Sequence, residues 1–357
     1  MTTNAPAAES ADVVVPAVLP VAAAATGIGS LPGTDIGESV ALVLGECDLP
    51  YLPELPGRGP GADLVGRTMA RLAHVDPAFS VTTTPSGWRL TDRPGRDVRR
   101  ASSWWREDLD ALEERATDYV GPIKVSLAGP LTLAAAIELV SGEKVLRDAG
   151  ARRDISAATS EAVVTLAKEV RARIPGAWLV LQIDEPSLPA VLAGNIKTAS
   201  GLTSLRPIDA VEAESLLGAI VTTAHAVGAA AIVHSCAAAP PLAMLQRAGF
   251  DGLSIDATLL VEADYDELGA AIDRDTTLLL GVVPTDRSPN TDAALKRITH
   301  LQRQLSFDDA TWLPRVAVSP TCGLALLQAA SARAITDTVR SVARALRGSA
   351  TLDPYDE

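Results

Sequence analysis

From Thr26 onward the chain alternates short apolar runs of strand character with longer segments of helical period, and it does so eight times. The strand runs are read at 26–31, 48–55, 123–128, 178–184, 230–236, 252–257, 277–283 and 315–319. The helical segments are read at 62–73, 131–140, 155–174, 210–227, 241–248, 265–273, 293–305 and 326–346. Alternation of this kind builds a parallel sheet with helices on its faces. Eight units with no long polar linker predict an α/β fold, a closed (β/α)8 TIM barrel, with an open doubly wound sheet as the other solution. Residues 79–91, with the turn Pro85-Ser86-Gly87, read as an inserted β-hairpin followed by a helix at 104–120. Residues 1–24, rich in Ala, Pro and Val, read as a loose N-terminal arm, and 25–357 as one barrel.

Within the arm the apolar stretch from Val13 to Ala25 is interrupted by Pro16 and Pro20 and preceded by no Lys or Arg. It is too short to span a bilayer and reads as neither a signal peptide nor a membrane helix. Lys and Arg total 31 against 44 Asp and Glu, a formal charge of −13. Such a surface repels nucleic-acid phosphates and anionic lipid, so neither is an expected partner. Three cysteines, Cys47, Cys236 and Cys322, cannot form a disulfide framework, and the odd count points to a reducing, cytoplasmic setting.

In either α/β fold the ligand site lies at the C-terminal ends of the strands, so the polar residues there carry the functional reading. The fifth run ends Val233-His234-Ser235-Cys236, and the two-residue period of a strand puts His234 and Cys236 on one side. Taken alone, the pair equally describes a hydrogen-bonded core histidine beside a small buried thiol. Asp256 lies near the end of the sixth run and Cys322 just past the eighth, and in a barrel they share the same mouth. One imidazole, two thiolates and a carboxylate suit Zn²⁺, whereas Mg²⁺ and Ca²⁺ take oxygen donors. The fourth run ends Gln182-Ile183-Asp184-Glu185-Pro186, placing two candidate catalytic carboxylates, Asp184 and Glu185, at the rim, where a carboxylate pairs with an ammonium. The first run leads into Gly27-Ile28-Gly29-Ser30, whose backbone N–H groups suit a carboxylate or phosphate. Gly57 to Ala62 matches a dinucleotide pattern, but Pro53 and Pro56 spoil the strand that should precede it. His74, His225 and His300 fall in helical segments and read as structural or exposed.

Taken in order, Gly27 to Pro32, Gln182 to Pro186, His234-Ser235-Cys236, Ser254-Ile255-Asp256 and Pro320-Thr321-Cys322-Gly323 give the chain its resemblance to a known family. From Thr26 on it resembles the catalytic barrel of cobalamin-independent methionine synthase. The resemblance implies a zinc ion held by His234, Cys236, Asp256 and Cys322 that binds homocysteine as its thiolate. It implies that Asp184 takes the substrate ammonium, with Glu54 as a second amino-group ligand, and that Ser30 takes the carboxylate. Asp256 stands where the family carries Glu. The complete enzymes also carry a further N-terminal barrel that helps bind methyltetrahydrofolate polyglutamate, with no counterpart before Thr26 in this sequence.

The expected function is therefore zinc-dependent transfer of a methyl group to homocysteine or a related small thiol, from a methyl-corrinoid or from methyltetrahydrofolate. Two other readings are a zinc-retaining, non-catalytic thiol or amino-acid binding subunit of a methyl-transfer complex, and a tetrapyrrole decarboxylase-like enzyme.

Overall fold

The computed structural model describes Leu19 and residues 21–349, so most of the expected arm lies outside the described residues. The described residues form ten strands: β1 (Ala24–Ala25), β2 (Val81–Thr84), β3 (Gly87–Leu90), β4 (Gly121–Ala128), β5 (Ile137–Glu138), β6 (Ala177–Asp184), β7 (Ala230–Ser235), β8 (Gly252–Asp256), β9 (Thr277–Val283) and β10 (Val316–Pro320). Seven of them form one parallel sheet in the order β1-β10-β9-β8-β7-β6-β4. β7 and β9 are buried along their whole length, as strands sandwiched between helices and a filled interior must be.

The ring closes through the second strand run. Leu49 N–H donates to Ala25 O at 3.1 Å and Glu54 N–H to Gly29 O at 3.1 Å on one side. On the other side Lys124 N–H donates to Pro50 O at 2.8 Å and Leu52 N–H to Lys124 O at 2.9 Å. Pro50 and Pro53 have no N–H to give, so the segment joins β1 to β4 by isolated bridges, Ser30 with Glu54 and Tyr51 with Lys124, instead of a continuous ladder. The architecture is a TIM-type barrel, as the alternation of runs predicts.

Helices cover the outside at the expected places, among them Leu64–Val75, Ala149–Arg173, Ala210–Ala226, Thr291–Leu305 and Ala329–Ser349. The helix expected at 104–120 is Arg96–Arg115, because it starts directly after Pro94-Gly95. Three α-helices among the described residues were not anticipated: the short Leu188–Leu192 and Asp309–Trp312, and Ile36–Glu46, where Asp35 caps the Glu38 N–H and Ile36, Val40 and Val43 form the buried stripe. The hairpin of β2 and β3 is present, and β5 extends it in parallel to β3.

The barrel interior grades from apolar to polar. Leu19, Val21, Ala24, Leu49, Val180, Ala230, Ile232, Leu279 and Ala317 form a separate apolar cluster at the floor, so the last residues of the arm are packed. One turn of the pleat higher, Lys124, Ser126, Gln182, His234, Ser254 and Ser319 are all buried. This polar tier supports the mouth.

Candidate active site

Strand register assembles the mouth. Asp184 pairs with His234 across β6 and β7, and His234 pairs with Ser254 across β7 and β8. Ser254 fixes the imidazole: His234 Nδ1 lies 3.0 Å from Ser254 Oγ and 3.2 Å from Ser254 O. With Nδ1 engaged, Nε2 is the ring nitrogen left for the cavity, where it acts on Cys322. Cys236 lies two residues beyond His234, and its Sγ is 3.3 Å from Cys322 Sγ, which comes from the loop after β10.

His234, Cys236 and Cys322 line a cavity of about 250 Å³ together with Ile28, Gly29, Ser30, Glu54, Pro56, Leu64, Asp184, Pro186, Gly323, Ala325 and Leu326. Its wall is rich in acidic groups. Burial raises the Asp184 carboxyl well above its ordinary range, with Glu54 adding repulsion, and burial likewise raises Glu54. The two thiols are set apart by their contact: the Cys236 contact and then the His234 hydrogen bond push Cys322 down, while the same contact and burial push Cys236 up.

Beneath the carboxylates sits a cation that sequence reading missed. Lys124 is 0% exposed, and its Nζ donates to Ile28 O at 3.0 Å and Gln182 Oε1 at 2.6 Å and also bonds Gly27 O. Gln182 Nε2 in turn donates to Asp184 Oδ1 at 2.7 Å and Ile28 O at 2.9 Å. The Lys124 ammonium, lowered by burial to about 8, thereby ties the Gly27–Ile28 backbone to the Asp184 side chain. A lysine inside an apolar run, at the parity of Gln182 and Asp184, was the available signal.

The expected residues separate into two groups. Ser30, Glu54, Asp184, His234, Cys236 and Cys322 meet at one cavity. Glu185 does not: it is 0% exposed and turned to the helix Pro130–Ala136, accepting from Leu131 N–H at 2.9 Å and from Thr132 N–H and Oγ1 at 2.8 Å each. The two-residue strand period separates it from Asp184, so its place is at a helix N-terminus instead of the cavity. Asp256 also stands outside the cavity lining, its Oδ1 accepting from Thr258 N–H at 2.8 Å and Thr258 Oγ1 at 2.6 Å.

Among the described residues no three His, Cys, Asp or Glu side chains are arranged so as to hold a metal ion as they stand. The donor chemistry nevertheless fits zinc at the His234, Cys236 and Cys322 wall. A tetrahedral ion with bonds of about 2.3 Å separates two thiolates by about 3.8 Å, so the sulfurs at 3.3 Å need to part only slightly. Three protein donors with an open fourth position is the pattern of catalytic zinc.

The profile described as cobalamin-independent synthase, catalytic domain, matches residues 117–345. The chain belongs to that family. No curated protein sequence matches it significantly. Among solved structures it is similar to a B12-independent methionine synthase from Shewanella sp. W3-18-1 in complex with selenomethionine, with TM-score 0.58, 12% identity, and 93% of this chain and 99% of that chain covered. At this identity the likeness establishes the shared fold. GH5_18 from Streptomyces cattleya in complex with GlcNAc aligns at TM-score 0.47 and 12% identity over 92% of this chain and 80% of that one. Membership in a cobalamin-independent synthase family corrects one expectation: a methyl-corrinoid is at odds with it as the donor. Among the described residues no helix is long and apolar enough to cross a membrane.

Proposed function

We propose that this member of the cobalamin-independent synthase family transfers a methyl group to the sulfur of homocysteine, from an N-methyl donor of the methyltetrahydrofolate class. The observation that carries this reading is one cavity lined on one side by His234, Cys236 and Cys322 and on another by Glu54, Asp184 and Ser30. The first set suits a thiol bound through zinc, and the second suits the two charged ends of an α-amino acid.

Zinc, held by His234, Cys236 and Cys322, supplies a means of keeping the substrate sulfur as thiolate at neutral pH, where a free thiol near pKa ~8.5 is mostly protonated. Asp256 stands outside that set, its Oδ1 held by Thr258. Among the described residues no hydrogen-bond donor reaches the Glu54 carboxylate, and Asp184 accepts only from Gln182. Both carboxylates therefore have lone pairs left for a ligand ammonium. The Ser30 N–H donates to no described residue, while the neighbouring Leu31 and Leu324 N–H groups are engaged with Glu54 O and Ser30 O. It is the donor left for the ligand carboxylate. With the amino acid held at both ends, its sulfur is directed toward the Cys236–Cys322 wall. The S–CH3 bond would form as the donor's N–CH3 bond breaks, the electron pair of that bond staying on the nitrogen, which takes up a proton from solvent in place of the one the thiol releases on binding.

The test is to supply the full chain with zinc, homocysteine and methyltetrahydrofolate and measure methionine. Product that disappears in Cys322→Ser supports the reading. Homocysteine binding without product would leave an amino-acid thiol binding protein and overturn the transferase assignment.

A further inference from the structure

Glu54 is 5% exposed, and the cation nearest its carboxylate is Arg67 of the helix Leu64–Val75, with Nη1 4.0 Å from Oε1. Arg67 is itself 4% exposed. Its Nη1 donates to Pro53 O at 3.0 Å, so it also grips the backbone immediately before Glu54. The guanidinium lies 4.7 Å from the centre of the Trp105 ring, and Nη2 is 3.7 Å from Asp108 Oδ2. Asp108 is held from its other side by Arg58. Arg67 is thus a fixed, desolvated cation, clamped between an indole and a buried aspartate, with its positive end behind the cavity carboxylate.

Arg67 Nε and Nη2 are buried with no hydrogen-bond partner, as are nitrogens of the neighbouring Arg58 and Arg71. What sets Arg67 apart is its place behind the Glu54 carboxylate. Glu54 faces Asp184 across the cavity, with Asp63 and Asp108 also close enough to repel it. An ion pair at this depth is screened far less than one in water.

We propose that Arg67 is a positioning residue for ligand specificity: it holds Glu54 in place as a charged acceptor, so that the cavity selects ligands bearing an α-ammonium over those lacking one. The inference rests on the reading of Glu54 and Asp184 as the ammonium site. It extends that reading to the layer behind the cavity, in the helices Leu64–Val75 and Arg96–Arg115.

The experiment compares two probes, L-methionine and its des-amino analogue 4-(methylthio)butanoate, titrated calorimetrically into the zinc-loaded full chain. Wild type is expected to prefer methionine. Arg67→Met is expected to weaken methionine at least about tenfold while changing the analogue by less than about twofold, the scale of a charged hydrogen bond lost. In a Glu54→Gln background the same substitution is expected to add nothing. Arg67→Gln, which keeps a donor for Pro53 O, is the second variant should Arg67→Met not fold, and the same selective loss is expected of it. An unchanged methionine-to-analogue ratio in the Arg67 variants, or equal loss for both probes, overturns the role of Arg67. A wild type that does not prefer methionine overturns the ammonium site itself, which is a separate outcome.

Discussion

The sulfurs of Cys236 and Cys322, 86 positions apart in the chain, approach to 3.3 Å at the barrel mouth, with His234 turned toward them by Ser254. Two thiols held this close, with one pushed toward thiolate by the other, form a preorganised soft-donor pair.

From this pair follows a metal prediction. Protein purified without chelator should carry close to one zinc per chain. Cys236→Ser or Cys322→Ser should each lower zinc affinity by at least about a hundredfold, because one of three protein donors is lost from a site whose binding energy is large. Metal analysis after dialysis against a competing chelator reads this directly. Equal zinc retention in wild type and in both variants would contradict it.

Glu185 gives a pH prediction whose sign is fixed. Burial raises its carboxyl from 4.5 to about 7, outweighing the three hydrogen bonds from Leu131 and Thr132. The folded state therefore keeps, between pH 4.5 and 7, a proton that the unfolded state has released. Stability from this group is present below that window and is lost as pH rises through it. Relative to Glu185→Gln, which does not titrate, wild type should lose about 3 kcal/mol of unfolding free energy between pH 4.5 and 8. Urea denaturation of both proteins across that range measures the difference, and a pH-independent difference would refute the assignment.

How far the sequence leads is clear from these residues. The eight barrel runs were legible because central parallel strands must be apolar on both faces, and His234, Cys236 and Cys322 because strand ends of a barrel converge. Asp184 and Glu185 looked equivalent as neighbours, although the strand period already sends one into the cavity and the other to a helix end. The turn between Asp256 and Thr258 is a local hydrogen-bond choice that no spacing announces. Lys124 and Arg67 were passed over because charged residues are ordinarily solvated, and only packing reveals that these two are not.

Lys124 should prove structural as well as functional. Lys124→Met leaves the Gly27 and Ile28 carbonyls and Gln182 Oε1 without their donor in the interior. A loss of about 2 to 5 kcal/mol is expected, together with weaker amino-acid binding, since the Ser30 loop and Asp184 both lean on this ammonium. Thermal or urea unfolding checks the first effect, and an unaltered midpoint would contradict it.

Gly323 packs directly on Ser30: a Cβ added there would stand 2.2 Å from Ser30 Oγ. That hydroxyl ends a short, rotatable side chain, so it can swing aside at little cost in stability. Gly323→Ala should leave the unfolding midpoint near wild type yet raise the KM for the amino acid by about tenfold, because the added methyl, 3.9 Å from the Ser30 backbone N, crowds the N–H that takes the carboxylate. Steady-state kinetics read the outcome, and an unchanged KM would show that Ser30 does not hold the ligand.

The most direct test of the central claim is X-ray absorption at the zinc edge, recorded on the zinc-loaded full chain before and after addition of homocysteine. The expected spectrum has a first shell of one imidazole nitrogen and two sulfurs, both sulfurs lost together with the bound metal in the Cys236→Ser, Cys322→Ser double variant, and a third sulfur appearing with homocysteine. A shell of oxygen and nitrogen alone, or one unaltered by homocysteine, would contradict it.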